Sequence, residues 1–142
     1  MKVSFIVVAY NAGSKLENLL EDLKKQDYNH NDIEIILVDS NSSDNTKDIM
    51  MKFKEINKTF SKVLVLDNPK KILPCGWNIA LEASTGDLIL RVDAHSSLPN
   101  DFISKNVNRI DMGEKIVGGH RISIIDENNA WQKTLLIYLV VE

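Results

Sequence analysis

The chain has 142 residues, 44% hydrophobic and 26% charged, the balance of an ordinary globular domain and not of a disordered segment. A formal net charge of -3, from 17 basic and 20 acidic residues, leaves no basic excess for gripping a nucleic-acid backbone. No run of about 18 apolar residues offers a membrane span, and no small-residue cleavage pattern follows the first apolar stretch. The lone Cys75 has no internal disulfide partner, which suits a reducing, cytoplasmic setting. The length predicts a single domain over residues 1–142. An apolar run at 135–141 halts at Glu142 inside an expected element, so the chain reads as a fragment of something longer.

Residues 3–9 form a short apolar run rich in β-branched side chains, the pattern of a strand buried on both faces. After Tyr10 and Asn11, Ser14 stands three before Glu17 in capping-box spacing. Leu16, Leu19, Leu20 and Leu23 then give a one-faced helix to about Gln26. A second buried strand spans 33–38 and ends at Asp39, and a polar turn supplies Ser42, Ser43 and Asp44 as caps. Ile49, Phe53, Ile56 and Phe60 predict the inner side of a second helix, followed by a third strand over 63–66 closed by Asp67, Asn68 and Pro69. Pro74 suits a helix start, with Trp77, Ala80, Leu81 and Ser84 inward and Thr85-Gly86 ending it. An apolar strand from Gly86 then runs to Asp93, and Phe102, Ile103, Val107 and Ile110 predict a fourth helix. A further strand is expected from Ile116, and a last helix or strand over 131–141. Strands alternating with helices imply βαβ crossovers and a mainly parallel α/β sheet with helices on both faces.

In such sheets ligands bind beyond the carboxyl ends of the strands. The polar residues there are Tyr10 and Asn11, Asp39 and Ser40, Asp67 and Asn68, and Asp93 with His95. If the strand stays extended past Asp93, positions 93 and 95 share a side, about 7 Å apart. A carboxylate and an imidazole at that spacing can share a divalent ion; the plainer reading makes Asp93 a turn cap. Each of the other acids can likewise cap the helix that follows it, Asp67 above all. The sequence has no Gly-rich dinucleotide fingerprint, P-loop or nucleophile elbow. Cys75 reads as structural and His30 as solvated, while His120 follows two glycines that favour tight packing.

Taken together, these stretches resemble the nucleotide-binding half of an inverting glycosyltransferase of family 2, with the Rossmann-like GT-A fold of nucleotide-diphospho-sugar transferases. The resemblance rests on the strand ending in Tyr10-Asn11, the Val38-Asp39 strand end with its Ser/Asn/Asp turn, the run 76–86 with Gly76, Asn78 and Gly86, and Asp93-Ala94-His95 in the place of Asp-x-Asp. It implies that Asp39 accepts a hydrogen bond from the base, most often uracil, while Ala9, Tyr10 and Asn11 line base and ribose. By the same carry-over Asn78 lies in the motif closing over the nucleotide, Asp93 contacts ribose or metal, and His95 binds the metal bridging the phosphates.

The sequence departs from the family pattern in three places. His95 replaces the second acid, and imidazole suits Mn²⁺ better than Mg²⁺; direct donation from His95 to a phosphate oxygen is the other open role. The Asp-Ala-His variant resembles a branch building bacterial exopolysaccharides of the succinoglycan type. Ser40 stands where many members carry a second acid, and no acid downstream matches the family's general base, which is expected beyond Glu142.

The expected activity is transfer of a sugar from a nucleotide-diphosphate donor, UDP in particular, to a glycan or lipid-linked acceptor in surface polysaccharide synthesis. The fragment itself is expected to bind donor with little turnover, to need Mn²⁺ or Mg²⁺, and to sit in the cytoplasm, at the inner face of the membrane in a longer protein. The apolar run at 135–141 is the expected face of a homodimer. Two other classes stand beside this reading. A sugar nucleotidyltransferase would want a Gly-rich loop with a basic residue after the first strand, faintly imitated by residues 10–15. A receiver-like module would use Asp39 as phosphoacceptor, with acids after the first strand that Tyr10-Asn11 lacks.

Overall fold

The computed structural model describes residues 1–117. Its elements are β1 (Val3–Ala9), α1 (Gly13–Lys24), a 3-10 turn (His30–Asp32), β2 (Ile33–Asp39), α2 (Thr46–Ile56), β3 (Lys62–Asp67), α3 (Leu73–Ala83), β4 (Leu88–Asp93) and α4 (Phe102–Asp111). The strands pair in parallel in the order β3-β2-β1-β4. The chain therefore steps outward from β1 through β2 to β3, then crosses back to lay β4 on the other side of β1. That reversal opens a crevice at the carboxyl end of β1, where side loops diverge to opposite faces.

Every residue of β1 and β2 is buried, which explains why both read as continuous apolar runs and not as alternating ones. On one face Val3, Phe5, Val7, Ile33, Ile35 and Leu37 pack with the leucine face of α1, Met50 and Phe53 of α2, and Ile103 and Val107 of α4. On the other, Ile6, Val8, Ile36 and Val38 pack with Trp77 and Ala80 of α3. Helices thus cover both faces, as the βαβ pattern predicts.

Several local expectations are corrected. Ser14 and Glu17 form no capping box: α1 begins at Gly13 and has no side-chain cap of its own. Its first amides, Ala12 and Gly13, instead donate to Thr46 Oγ1 at 2.9 and 3.1 Å. A buried threonine on another helix reaches these orphan groups, which satisfies them as a local cap would. Helix α1 stops at Lys24, Ile56 at the end of α2 is 65% exposed, and Leu81 of α3 is exposed. His30 is half-buried and stacks on Phe60 with ring centroids 4.4 Å apart. The strand expected from Ile116 falls almost wholly outside the described residues, as do the element at 131–141, His120 and Glu142.

At the opposite, amino end of the sheet, Glu34 is fully buried and ties three segments together. It accepts from Ser4 Oγ at 2.5 Å, from the Thr85 amide at 2.5 Å and from Thr85 Oγ1 at 2.8 Å. Gly86 is required here, because a Cβ at that position would lie 2.6 Å from the Ser4 amide. This latch sets the start of β4, and through it the height at which Asp93 emerges.

Candidate functional site

Register places the strand ends at two levels. Ala9, Asp39 and Asp67 are aligned across β1, β2 and β3, whereas Asp93 aligns with Val8, one residue lower. Pleat alternation then puts Asp39 on the face of α1 and α2, with Leu37, and Asp93 on the face of α3, with Val8. The two carboxylates stand on opposite sides of the sheet, with the end of β1 between them. A ligand touching both must straddle the sheet edge over Ala9 and Tyr10.

The turn after β1 is built for rigidity. Asn11 adopts a left-handed conformation at φ 46°, which asparagine tolerates better than most residues. Its amide donates to Ser42 Oγ at 3.0 Å, and its Oδ1 accepts from the Ser43 amide at 2.8 Å. Asn11 therefore joins the β1 turn to the β2–α2 turn. Thr46 also donates to Asp44 through its hydroxyl and its amide, which holds the Asp44 carboxyl below the usual carboxylate range. Because Thr46 Oγ1 already fills the amino end of α1, this helix is not the anion seat that a phosphate-binding first turn would provide.

Next to that turn is a shallow cavity of about 280 Å³ lined by Val8, Ala9, Tyr10, Ser40, Lys71 and Leu73. Its walls are mostly apolar, with Tyr10 57% exposed at the rim. Beneath it Asn68, fully buried, donates from Nδ2 to Ser40 Oγ and to the Ile72 carbonyl, both at 3.0 Å. The Asn68 amide donates to the Asp39 carbonyl at 2.8 Å, and the Lys71 amide to the Asn68 carbonyl at 3.2 Å. Among the described residues, Asn68 Oδ1 has no hydrogen-bond partner. Lys71 is held at φ 58°, a conformation that bends the chain around the cavity.

Asp39 is 2% exposed. Among the described residues its carboxylate receives one donor, the Ser42 amide, at 3.2 and 3.4 Å. A buried carboxylate so thinly supplied gains from any further N–H that reaches it. Asp67 is different: it is exposed and pairs with Lys47 at 2.7 Å, which raises the lysine's pKa, and it lies apart from the cavity lining.

Strand β4 ends at Asp93, and the Ser96 amide donates to the Asp93 carbonyl at 3.0 Å, closing a turn. The expected alternation from 93 to 95 is thus broken, and the turn, not the pleat, presents His95 at the surface. Asp93 itself is half-buried. Two residues earlier on the same face, the Arg91 guanidinium lies 4.3 Å over the Trp77 ring, a cation–π contact between β4 and α3. Asn78 is the sixth residue of α3, exposed and outside the cavity lining, whereas Leu73 at the start of that helix belongs to it.

Sequence reasoning missed Lys71, Leu73, Arg91 and the knot around Asn68. Strand alternation from Asp93 would have found Arg91; the paired lysines after Pro69 were the signal for Lys71.

No group of three or more His, Cys, Asp or Glu side chains gathers among the described residues. The described residues alone therefore form no metal cage at the site. By their chemistry, a carboxylate and an imidazole, Asp93 and His95 would suit a divalent ion at a phosphate site, where such ions commonly take only one or two protein ligands. The same finding leaves Asp39 without the acid cluster a phosphoacceptor module needs, and its burial opposes attack on a phosphodonor. The filled amino end of α1 likewise opposes the nucleotidyltransferase reading. A second cavity, of about 210 Å³ between β4 and α4, contains none of the candidate residues.

A family model described as glycosyl transferase family 2 matches residues 4–140. TarS of Staphylococcus aureus, a poly(ribitol-phosphate) β-N-acetylglucosaminyltransferase, is 34% identical over 105 residues, covering 74% of this chain and 17% of TarS. The structure of TarS 1–349 with UDP-GlcNAc superposes with a TM-score of 0.69 at 26% identity, over 87% of this chain and 37% of that one. The succinoglycan biosynthesis protein ExoA of Rhizobium meliloti is 31% identical over 104 residues, covering 72% of this chain and 30% of ExoA. The mannosyltransferase PcManGT of Pyrobaculum calidifontis, in complex with GDP-Man and Mn²⁺, superposes with a TM-score of 0.70 at 26% identity, over 75% and 31% of the two chains. The chain spans 17 to 44% of the length of the curated relatives it matches.

Proposed function

Because the chain belongs to glycosyl transferase family 2 and carries the GT-A fold, we propose that it is the donor-binding domain of an inverting glycosyltransferase. The donor is a nucleotide-diphosphate sugar, UDP-linked by preference, as in the UDP-GlcNAc complex of TarS. The acceptor is a glycan or lipid-linked glycan of a surface polysaccharide, in keeping with the ExoA likeness. We assign residues 1–142 to one domain of a longer protein acting in the cytoplasm at the inner face of the membrane. No helix of the described residues is long and apolar enough to cross a membrane, so that association is peripheral or belongs to other segments. A homodimer through residues 135–141 completes the proposal.

One observation carries it above the others. The strand order reverses at β1, and the cavity at Tyr10 and the Asp93–His95 turn open on the same sheet edge. In this reading the base lies on Tyr10 and Ala9, and Asp39 accepts its imide N–H, the donor the buried carboxylate lacks. Asn11 fixes the loop against which the ribose rests, and Asn78 borders the nucleotide from α3. Lys71 brings positive charge to the cavity rim, where it faces the nucleotide's anionic groups. Asp93 meets the ribose or the ion, and His95 the ion or a phosphate oxygen.

A divalent ion held by Asp93 and His95 would neutralise the leaving diphosphate, where charge develops as the anomeric bond breaks. The chain's own residues bind and orient the donor so that its anomeric carbon faces the acceptor hydroxyl for a single displacement. The base that takes the hydroxyl proton is assigned to a segment beyond Glu142, so the 142-residue chain alone binds donor and turns over little.

Calorimetric titration of UDP with and without Mn²⁺ tests the proposal. UDP is expected to bind, Mn²⁺ to strengthen it, and Asp93→Ala to cost about tenfold or more, on the order of 1.4 kcal/mol. Wild-type chain that ignores UDP, or an Asp93→Ala variant that binds like wild type, sinks it.

A further inference from the structure

Resting on the donor-binding reading above, we propose that Asp22 of α1 and Gln26, just past the end of that helix, are positioning residues that fix the β4–α4 loop and so present His95 to the diphosphate. His95 is exposed, yet its neighbours are not free to move with it. Ala94 is 7% exposed and packs in the main core, and the Ser96 amide is bonded to the Asp93 carbonyl. Immediately downstream, Asp22 of α1 and the Gln26–Asp27 segment after it take hold of the backbone. Asp22 Oδ2 accepts from Ser97 Oγ at 2.9 Å and from the Leu98 amide at 3.0 Å. Gln26 Nε2 donates to the Pro99 carbonyl at 2.8 Å, and the Asp27 amide to the Asn100 carbonyl at 2.9 Å. Gln26 Oε1 accepts from the Ile103 amide at 3.0 Å, one of the orphan amides at the start of α4.

Gln26 is 6% exposed and divides both ends of its amide between the loop and the helix that follows it. These side-chain bonds bridge sequence separations of 73 to 77 residues. They join the helix that follows the base-binding turn to the loop that follows the phosphate-side turn. The consequence is geometric. With residues 94 and 96 to 103 anchored, the freedom left near the tip of the loop is mainly that of the His95 side chain. A side chain on a fixed loop keeps its orientation toward an ion. Where outer partners bond the ligand directly, their loss commonly weakens binding by about 10–100-fold; Asp22 and Gln26 act one step further out, through the loop backbone.

The test compares UDP with UMP, which lacks the second phosphate and reports on the base cavity alone. Calorimetry on the whole chain, with and without Mn²⁺, gives the increment in affinity that the metal adds. Asp22→Ala is expected to reduce that increment for UDP by about tenfold, to leave UMP affinity unchanged, and to speed amide exchange at Leu98. Asp22→Asn keeps the acceptor and is expected to restore the increment. Should Asp22→Ala prove unstable, Ser97→Ala removes one bond from the loop side and is expected to lower the same increment by less. A full increment in Asp22→Ala with a freed Leu98 amide overturns the inference, and so does an equal loss of UMP and UDP binding. Wild-type chain whose UDP affinity ignores Mn²⁺ overturns the metal reading on which the inference stands.

Discussion

Glu34 and Asp39 are both buried carboxylates on β2, and the contrast between them separates structure from function at the scale of single residues. Glu34 faces strong desolvation, which alone would raise its pKa, but Ser4, Thr85 and Lys2 outweigh it and hold the carboxyl below its ordinary 4.5. A folded-state pKa below the unfolded one contributes stability that is present above the ordinary value and lost as pH falls through the lowered one. The chain is therefore expected to lose stability on acidification below about pH 4.5, and Glu34→Gln to flatten that limb while costing about 1–3 kcal/mol at neutral pH. Urea unfolding across pH 3 to 7 measures both; a variant as stable and as pH-sensitive as wild type refutes this role. Asp39, with one amide donor among the described residues, has no such reason to be buried in the fold's own bonding. That shortage is what makes it a candidate reader of a base.

Among the elements, the junction of α1 and α2 shows why helix starts are hard to place from sequence. Ser14 and Glu17 have capping-box spacing, yet the cap of α1 comes from Thr46, more than thirty residues on. Thr46→Val keeps the shape and deletes the acceptor. It is expected to lower stability by about 1–2 kcal/mol, as lost caps do, shifting the urea midpoint with little change in slope. An unchanged midpoint would show that water replaces the hydroxyl. The same bonds weigh against a phosphate seat at the first turn, because the Ala12 and Gly13 amides already have a partner. In the proposed reading the phosphates are served by the turn after β4, which Asp22 and Gln26 brace.

For the molecule as a whole, the four parallel strands make one edge chemically special, since β1 lies between neighbours whose connections leave on opposite faces. The apolar run at 135–141 lies outside the described residues, and its composition alone supports the proposed dimer. Light scattering after size exclusion is expected to give twice the mass of the 142-residue chain, and Leu136→Lys to give the monomer. A wild-type chain that elutes as a clean monomer removes the dimer.

The local pattern of the chain determined that β1 and β2 are buried strands, that the leucines of α1 face inward, and that strand ends carry the polar residues. These follow from hydrophobic periodicity, which each segment carries in its own side chains. The family resemblance was legible for a related reason, because its motifs are short and lie at strand ends in order along the chain. Only the tertiary structure decided that Asp39 and Asp93 stand on opposite faces, that Asn11 spends its acceptor on the neighbouring turn, and that Arg91 rests on Trp77. It likewise brought Lys71 and Leu73 to the cavity and bolted the His95 loop to Asp22 and Gln26. Those facts depend on register and on contacts between segments tens of residues apart. Local pattern can flag a residue such as Arg91 or Lys71 but not its partner, because the partner of each group is chosen when the layers pack.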